Sequence, residues 1–170
     1  MSWSGGDLMI NGDFQNQLEN HGKLFVEALS HTLMTMAGLE PIVTLASLDE
    51  ELRFDADHLS GMMILGGTNP AVLVVSASKN AAAQIISYMT GFEQTELTDD
   101  DLNDGIVEIV NMIAGNVKAK LIGSEFSFKL TSPFAIVGDQ VKIITKSNIC
   151  SMLAKFKIDQ FEIILKIFYV

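Results

Sequence analysis

Apolar residues recur at helical spacing in three segments of the chain, and each segment carries a helix start or stop signal. The first segment forms one apolar stripe that ends at Gly38, and the second lies between Ser78 and Gly91. The third opens with Thr98 and three aspartates, which favour the positive end of the helix dipole. The pattern predicts helices over residues 15–37, 79–89 and about 99–121.

Short apolar runs and strict alternation predict β-strands between and after these helices. Two of the runs flank Gly-Gly-Thr-Asn-Pro, which predicts a hairpin. In the last segment, from Phe161 to Tyr169, every second residue is apolar, as in a half-buried strand. The predicted strands cover residues 41–48, 52–54, 62–65, 71–75, 125–131, 141–145, 149–158 and 161–169.

The length and charge of the chain limit its organisation and its partners. A length of 170 residues indicates a single domain, residues 1–170. The formal net charge of −10 repels nucleic acids and anionic membrane surfaces, so neither is expected as a partner. The longest charge-free stretch, residues 58–78, contains glycines and a proline, which indicates two strands and a turn rather than a membrane span.

The chain is expected in the cytoplasm. Residues 1–11 lack the cationic start of a secretory signal. Cys150 is the single cysteine of the sequence and cannot form an internal disulfide, which fits a reducing compartment. Its apolar neighbours predict a small buried side chain rather than a nucleophile.

The sequence gives little support for a metal site or a nucleotide-binding site. The sequence lacks the common phosphate-loop, dinucleotide, serine-hydrolase and zinc-protease motifs. His21 and His31 would lie about 15 Å apart along the first helix, too far to share a metal ion, and His58 lies in another segment. Solvated or core histidines are therefore favoured, and no metal site is predicted.

The third helix carries a pattern that stability alone does not explain. Its predicted buried face consists of Ile106, Ile109, Val110, Ile113 and Val117. The opposite face carries a set that we call the polar stripe: Asp104, Glu108, Asn111, Gly115 and Lys118. A solvated helix face is the ordinary interpretation of such a set. However, Asp104 and Glu108 are like charges one turn apart, and asparagine and glycine are poor helix formers.

Glu108 and Asn111 place a carboxylate and a carboxamide one turn apart, beside a glycine where another surface can approach closely. The pair offers no nucleophile, no cation for an oxyanion and no metal-ligand set. It could complete the site of a partner, because an amide can hold a water and a carboxylate can pair with a lysine. Insertion of this kind suits phosphoryl transfer, in which catalysis is mostly positioning and electrostatics.

The segment Asp104-x-x-x-Glu108-x-x-Asn111, continued by Met112-Ile-Ala-Gly-Asn116-x-Lys118 and followed by Pro133, resembles the signature of the CheC/CheX/FliY family of chemotaxis phosphatases. The resemblance implies an α+β fold with long helices packed on an antiparallel or mixed β-sheet. It also implies a single CheX-like domain of two related halves, about residues 13–96 and 97–170. The implied activity is hydrolysis of the aspartyl phosphate of a CheY-like response regulator in two-component signalling.

The resemblance also implies roles for individual residues. Glu108 would contact the regulator's active-site lysine, and Asn111 would orient the attacking water. Asp104, Gly115 and Pro133 would contact the partner. The chain would have no cofactor of its own, because the Mg²⁺ would belong to the phosphorylated regulator.

A short internal repeat bears on the number of sites. When Gly38 is aligned with Gly115, His31 falls opposite Glu108 and Met34 falls opposite Asn111, so the first helix lacks the pair. One site per chain is the CheX-like arrangement, and CheX-like members are homodimers by resemblance.

The alternative to a phosphatase is a non-catalytic adaptor that binds a phosphorylated receiver or a flagellar-switch partner through the same face. An acid–base pair of a small-molecule hydrolase is disfavoured, because one exposed helix offers no pocket.

Overall fold

The computed structural model describes residues 12–49, 58–138 and 151–169. Three α-helices and seven strands lie in these ranges, together with a short 3-10 turn at Gln94–Glu96. The elements in chain order are α1 Gly12–Ala37, β1 Ile42–Asp49, β2 His58–Gly67, β3 Ala71–Ser78, α2 Lys79–Thr90, α3 Asp99–Lys120, β4 Phe128–Leu130, β5 Phe134–Val137, β6 Ser151–Ile158 and β7 Phe161–Tyr169.

All described strands belong to one sheet, and every pairing among them is antiparallel. The strand order is β1-β6-β7-β3-β2-β4. On the same edge of β2, β4 pairs with residues 65–67 and β5 pairs with residues 59–62. The chain therefore has an α+β fold. Strands from the two predicted halves alternate in groups across the sheet, although the division into related halves within one domain stays a prediction.

The helices pack on one face of this sheet and close the hydrophobic core. Side chains of β3 and β7 on that face, such as Leu73 and Leu165, are buried against apolar residues of the helices. The α3 helix packs against α1 and α2 and lies over β2, with β4 and β5 beside it. Burial of one helix face and one sheet face is the main stabilising contribution in this architecture.

Helix α1 contacts the end of α3 and the segment that follows it. Lys120, at the end of α3, forms an ion pair of 3.1 Å with Glu27 in the middle of α1. Earlier in α1, His21 contacts the ring of Phe126, which follows α3.

The three predicted helices are confirmed, including the Ser78 N-cap and the Gly91 C-cap of α2. The predicted hairpin is also present, with both strands longer than expected. The last strand agrees with its predicted bounds of 161–169. None of the described α-helices combines the length and the apolar character of a membrane span.

Two strand predictions need correction. Residues 125–127 are not part of β4, because the chain after α3 turns through Gly123, which has a φ of 81°. Strand β5 is present where no strand was predicted. The predicted strands at 52–54 and 141–145, the start of the one at 149–158, and Cys150 lie outside the described residues.

Candidate functional site

The helix that carries the polar stripe begins at a capping box. The Asp101 N–H donates to Thr98 Oγ1 at 3.2 Å, and the Thr98 N–H donates to Asp101 Oδ2 at 2.8 Å. The Thr98 hydroxyl also donates to the same carboxylate oxygen, and these hydrogen bonds lower the pKa of Asp101. Asp99 forms an ion pair of 2.6 Å with Lys79 of α2. The capping box defines the start of α3, and the exposed pair of Lys79 and Asp99 links that start to α2.

Two glycines allow α3 to approach its neighbours closely. A β-carbon on Gly61 of β2 would lie 2.7 Å from the Ile106 carbonyl oxygen and 2.8 Å from a methyl group of Val110. A β-carbon on Gly105 would lie 2.5 Å from side-chain atoms of Ile86 in α2. Because distances below 3.0 Å are excluded by sterics, the absence of side chains at these positions sets the depth at which α3 lies.

The opposite face of α3 is open to solvent. Asp104, Glu108, Asn111 and Lys118 are exposed, whereas all five residues of the predicted buried face are buried. The Asn111 Nδ2 donates a weak hydrogen bond of 3.4 Å to Glu108 Oε2. In the part of the chain that the structure describes, neither side chain has another hydrogen bond or ion pair. The carboxylate and the amide thus lie side by side on an uncovered surface.

Gly115 leaves a gap in the same face. A β-carbon at this position would meet no atom within 4 Å, so the fold does not require glycine there. Glycine in a helix costs about 1 kcal/mol relative to alanine. Within the described chain, no close contact explains why position 115 is glycine rather than alanine. At Gly105, by contrast, the contact with Ile86 explains it.

Pro133 lies beside this helix rather than on it. It is half-buried in the connection between β4 and β5, which both pair with β2. The neighbouring connection residue Thr131 donates a hydrogen bond of 2.8 Å to the Ile64 carbonyl, which ties the connection to the sheet. Next to Pro133, the edge strand exposes apolar side chains, and Val137 is 68% exposed. No strand was predicted at this edge, because its only signal in the sequence is an apolar run of four residues, which is short for a strand.

The corresponding surface of α1 has different chemistry. His31 and Met34, which align with Glu108 and Asn111, are both exposed. Thr35 donates a hydrogen bond of 2.7 Å to the His31 carbonyl, so this turn of α1 is a regular helix with a polar side chain bonded back to it. The α1 face thus presents an imidazole and a thioether instead of a carboxylate and an amide.

The other histidine of α1 belongs to the core. The His21 Nδ1 forms a hydrogen bond of 2.5 Å with the Tyr169 hydroxyl, and its ring contacts those of Phe25 and Phe126. Burial lowers the pKa of His21 to about 4. Among the described residues no group of three or more His, Cys, Asp and Glu side chains is placed to hold a metal ion.

Comparisons with known proteins identify a matching family and solved structures with the same fold. A family model described as chemotaxis phosphatase CheX matches residues 59–157. A solved chemotaxis protein CheX from Desulfovibrio desulfuricans is 27% identical, with a TM-score of 0.74, and the match covers 87% of this chain and 97% of that one. No curated protein sequence matches the chain.

Two further solved structures show the same fold at lower identity. The chemotaxis protein CheX from Vibrio vulnificus is 21% identical, with a TM-score of 0.76 and coverage of 89% of this chain and 99% of that one. A chain from the CheX-CheY-BeF3-Mg²⁺ complex of Borrelia burgdorferi is 22% identical, with a TM-score of 0.73 and coverage of 88% and 96%.

Proposed function

Because the chain belongs to the CheX family of chemotaxis phosphatases, we propose that it hydrolyses the aspartyl phosphate of a CheY-like response regulator. The observation that carries the proposal is the open face of α3, where Glu108 and Asn111 lie side by side with no covering element among the described residues. A pair that projects in this way can enter the active site of another protein.

In the proposed reaction, water attacks the phosphorus in line with the bond to the aspartyl oxygen. That bond breaks, and the products are the free carboxylate of the regulator and inorganic phosphate. Asn111 orients the water, because an amide can accept a hydrogen bond from it and donate one to a neighbouring oxygen. The contribution of Asn111 is therefore to positioning, which is the main source of catalysis in phosphoryl transfer.

Glu108 is proposed to anchor the complex through the regulator's active-site lysine. No lysine or arginine of α3 lies within one turn of Glu108, so its carboxylate has no competing cation on its own helix. The weak contact with Asn111 leaves both groups available, since an exposed hydrogen bond of 3.4 Å costs little to break.

The metal ion is proposed to come from the regulator. The described residues contain no group of three or more His, Cys, Asp and Glu side chains placed to hold a metal ion, whereas the Borrelia burgdorferi complex contains Mg²⁺ together with CheX and CheY. When bound, the ion neutralises charge on the phosphoryl oxygens. This chain then supplies the water-orienting amide and the anchoring carboxylate.

Asp104, Gly115 and Pro133 are proposed as further partner contacts. Asp104 adds a second negative charge one turn before Glu108, and Gly115 provides a gap for the regulator's backbone or side chains. Pro133 lies on the connection that flanks α3. We also propose a cytoplasmic location, where response regulators act, and a homodimeric state, which sedimentation of the purified chain tests.

The decisive experiment follows loss of phosphate from a phosphorylated CheY-like regulator with the unmodified chain and with Asn111→Ala. We expect the chain to accelerate hydrolysis and Asn111→Ala to lower the acceleration by roughly 10²-fold or more while binding is retained. Asn116→Ala is the matched control, because Asn116 is exposed on the same helix away from the stripe. If the unmodified chain binds the regulator and slows or does not change hydrolysis, the chain is an adaptor and not a phosphatase.

A further inference from the structure

Lys118 lies at the C-terminal end of the polar stripe, two turns beyond Asn111. Its side chain is exposed and has no ion pair or hydrogen bond in the described part of the chain. Lys120, two residues later, differs from it, because Lys120 pairs with Glu27 of α1 at 3.1 Å. The two lysines have the same charge in the same helical turn, but only Lys118 is free on the face that carries the pair.

The charges along the stripe have a fixed order. Asp104 and Glu108 are negative, Asn111 is neutral, Gly115 has no side chain, and Lys118 is positive. At 1.5 Å per residue the sequence of charges extends over about 21 Å of helix. A partner surface with the complementary order fits the helix in one direction, whereas the reverse direction brings like charges together.

The regulator is expected to have this complementary order. Its active-site lysine would face Glu108 under the proposed function, and the Mg²⁺ that it holds requires oxygen ligands, which in proteins include one or two carboxylates. An acidic rim beside the metal site is therefore the natural counterpart of a cation further along the helix. Glu108 would then contact a lysine of the regulator, and Lys118 a carboxylate.

We propose that Lys118 is a positioning residue that sets the direction in which α3 lies across the regulator, by pairing with a carboxylate at the rim of the regulator's metal site. The inference rests on the proposed function and goes beyond it. Lys118 lies about 10 Å along the helix axis from Asn111, so its ammonium contacts the rim and not the phosphoryl group. Its effect is therefore on association and KM rather than on kcat.

The test compares Lys118→Glu with Lys120→Glu in steady-state hydrolysis of the phosphorylated regulator at low and high ionic strength. Both variants change the net charge equally, and both lose a cation near the helix C-terminus. We expect Lys118→Glu to raise KM about tenfold at low salt and less at high salt, with kcat within about twofold. Lys120→Glu should leave KM within about twofold. Equal increases in KM, or a fall in kcat for Lys118→Glu alone, would overturn the proposal.

A charge-swapped variant separates direction from net charge. Asp104→Lys combined with Lys118→Glu keeps the net charge of the chain and reverses the order of charges along the stripe. If Lys118 sets the direction, this variant has a higher KM than either single variant. If only net charge matters, its KM returns to that of the unmodified chain and the inference is wrong.

Failure of the proposed function gives a different result. The unmodified chain itself would then fail to accelerate hydrolysis, and both proposals would be wrong.

Discussion

The amide nitrogen of Asn111 lies 3.4 Å from a carboxylate oxygen of Glu108, one turn away on the exposed face of α3. The contact depends on the amide as donor. Asn111→Asp replaces this donor by a second carboxylate of the same shape, which repels Glu108 and can no longer donate a hydrogen bond. We expect phosphatase activity to fall by roughly 10²-fold or more, while the free energy of unfolding changes by less than about 0.5 kcal/mol.

Hydrolysis assays and urea unfolding of the same preparations check this expectation. Asn116→Asp is the control, since it makes the same chemical change at an exposed position of α3 outside the stripe. If both aspartate variants retain activity, Asn111 does not orient the water.

Gly115→Ala is expected to stabilise the fold and to weaken the activity. The added methyl group would meet no atom within 4 Å, so the fold gains the helix propensity of alanine, about 0.5–1 kcal/mol. The same methyl group fills the gap that the partner is proposed to use. Thermal unfolding should show a higher Tm, and the KM for the phosphorylated regulator should rise several-fold. Asn116→Ala, which also raises helix propensity, should leave KM unchanged; an unchanged KM for Gly115→Ala would exclude a contact at this glycine.

Gly105→Ala is expected to have the opposite effect on stability. Its β-carbon would lie 2.5 Å from side-chain atoms of Ile86, so α2 and α3 would have to move apart or Ile86 would have to change rotamer. Overpacking of this kind costs about 1–3 kcal/mol, which exceeds the gain in helix propensity. Urea unfolding of Gly105→Ala, Ile86→Ala and the double variant measures the coupling. The double variant should lose less unfolding free energy than the sum of the losses in the two single variants. Losses that simply add would contradict the steric explanation.

Local signals explain why the helices could be predicted from the sequence. Helix α3 has a threonine cap, acidic residues in its first turn and a continuous apolar period, and each of these features acts within a few residues. The same period predicted which side chains face solvent, so the exposure of Glu108 and Asn111 follows from the sequence. Their proposed catalytic roles do not, because these depend on a partner and come from the family resemblance.

Features that depend on distant residues were not predictable in this way. Strand β5 has four residues, and its register is set by pairing with β2, for example Gly61 with Ala135. The hydrogen bond between His21 and Tyr169 joins residues that are 148 positions apart. Sequence periodicity places each residue on a face but does not identify its partner across the fold.

The burial of His21 predicts a pH dependence of stability. Its pKa is lowered to about 4 in the folded protein by burial, below the ordinary value of 6.5. Between these values the unfolded chain binds a proton that the folded protein does not, so stability falls as the pH decreases from about 6.5 to 4. Below pH 4 this contribution is constant. At about 1.4 kcal/mol per pH unit, the loss over this interval is at most about 3.5 kcal/mol.

Urea unfolding between pH 7 and pH 4 measures this contribution. His21→Gln retains a side chain that can hydrogen-bond to Tyr169 and does not titrate, so its stability should vary less with pH than that of the unmodified chain. His31→Gln, at an exposed position of the same helix, should keep the full dependence. Identical pH profiles for all three proteins would show that His21 protonation is not linked to unfolding.

Gly61, which lies beneath α3, affects how far Asn111 projects from the fold. Because no side chain separates Gly61 from the Ile106 carbonyl, the middle of the helix rests directly on the backbone of the sheet. A single methyl group there would raise the helix and move the tip of Asn111 outward, although the two residues lie on opposite sides of α3. Under the proposed function, the depth to which the amide enters the regulator would therefore depend on a position that the regulator does not contact.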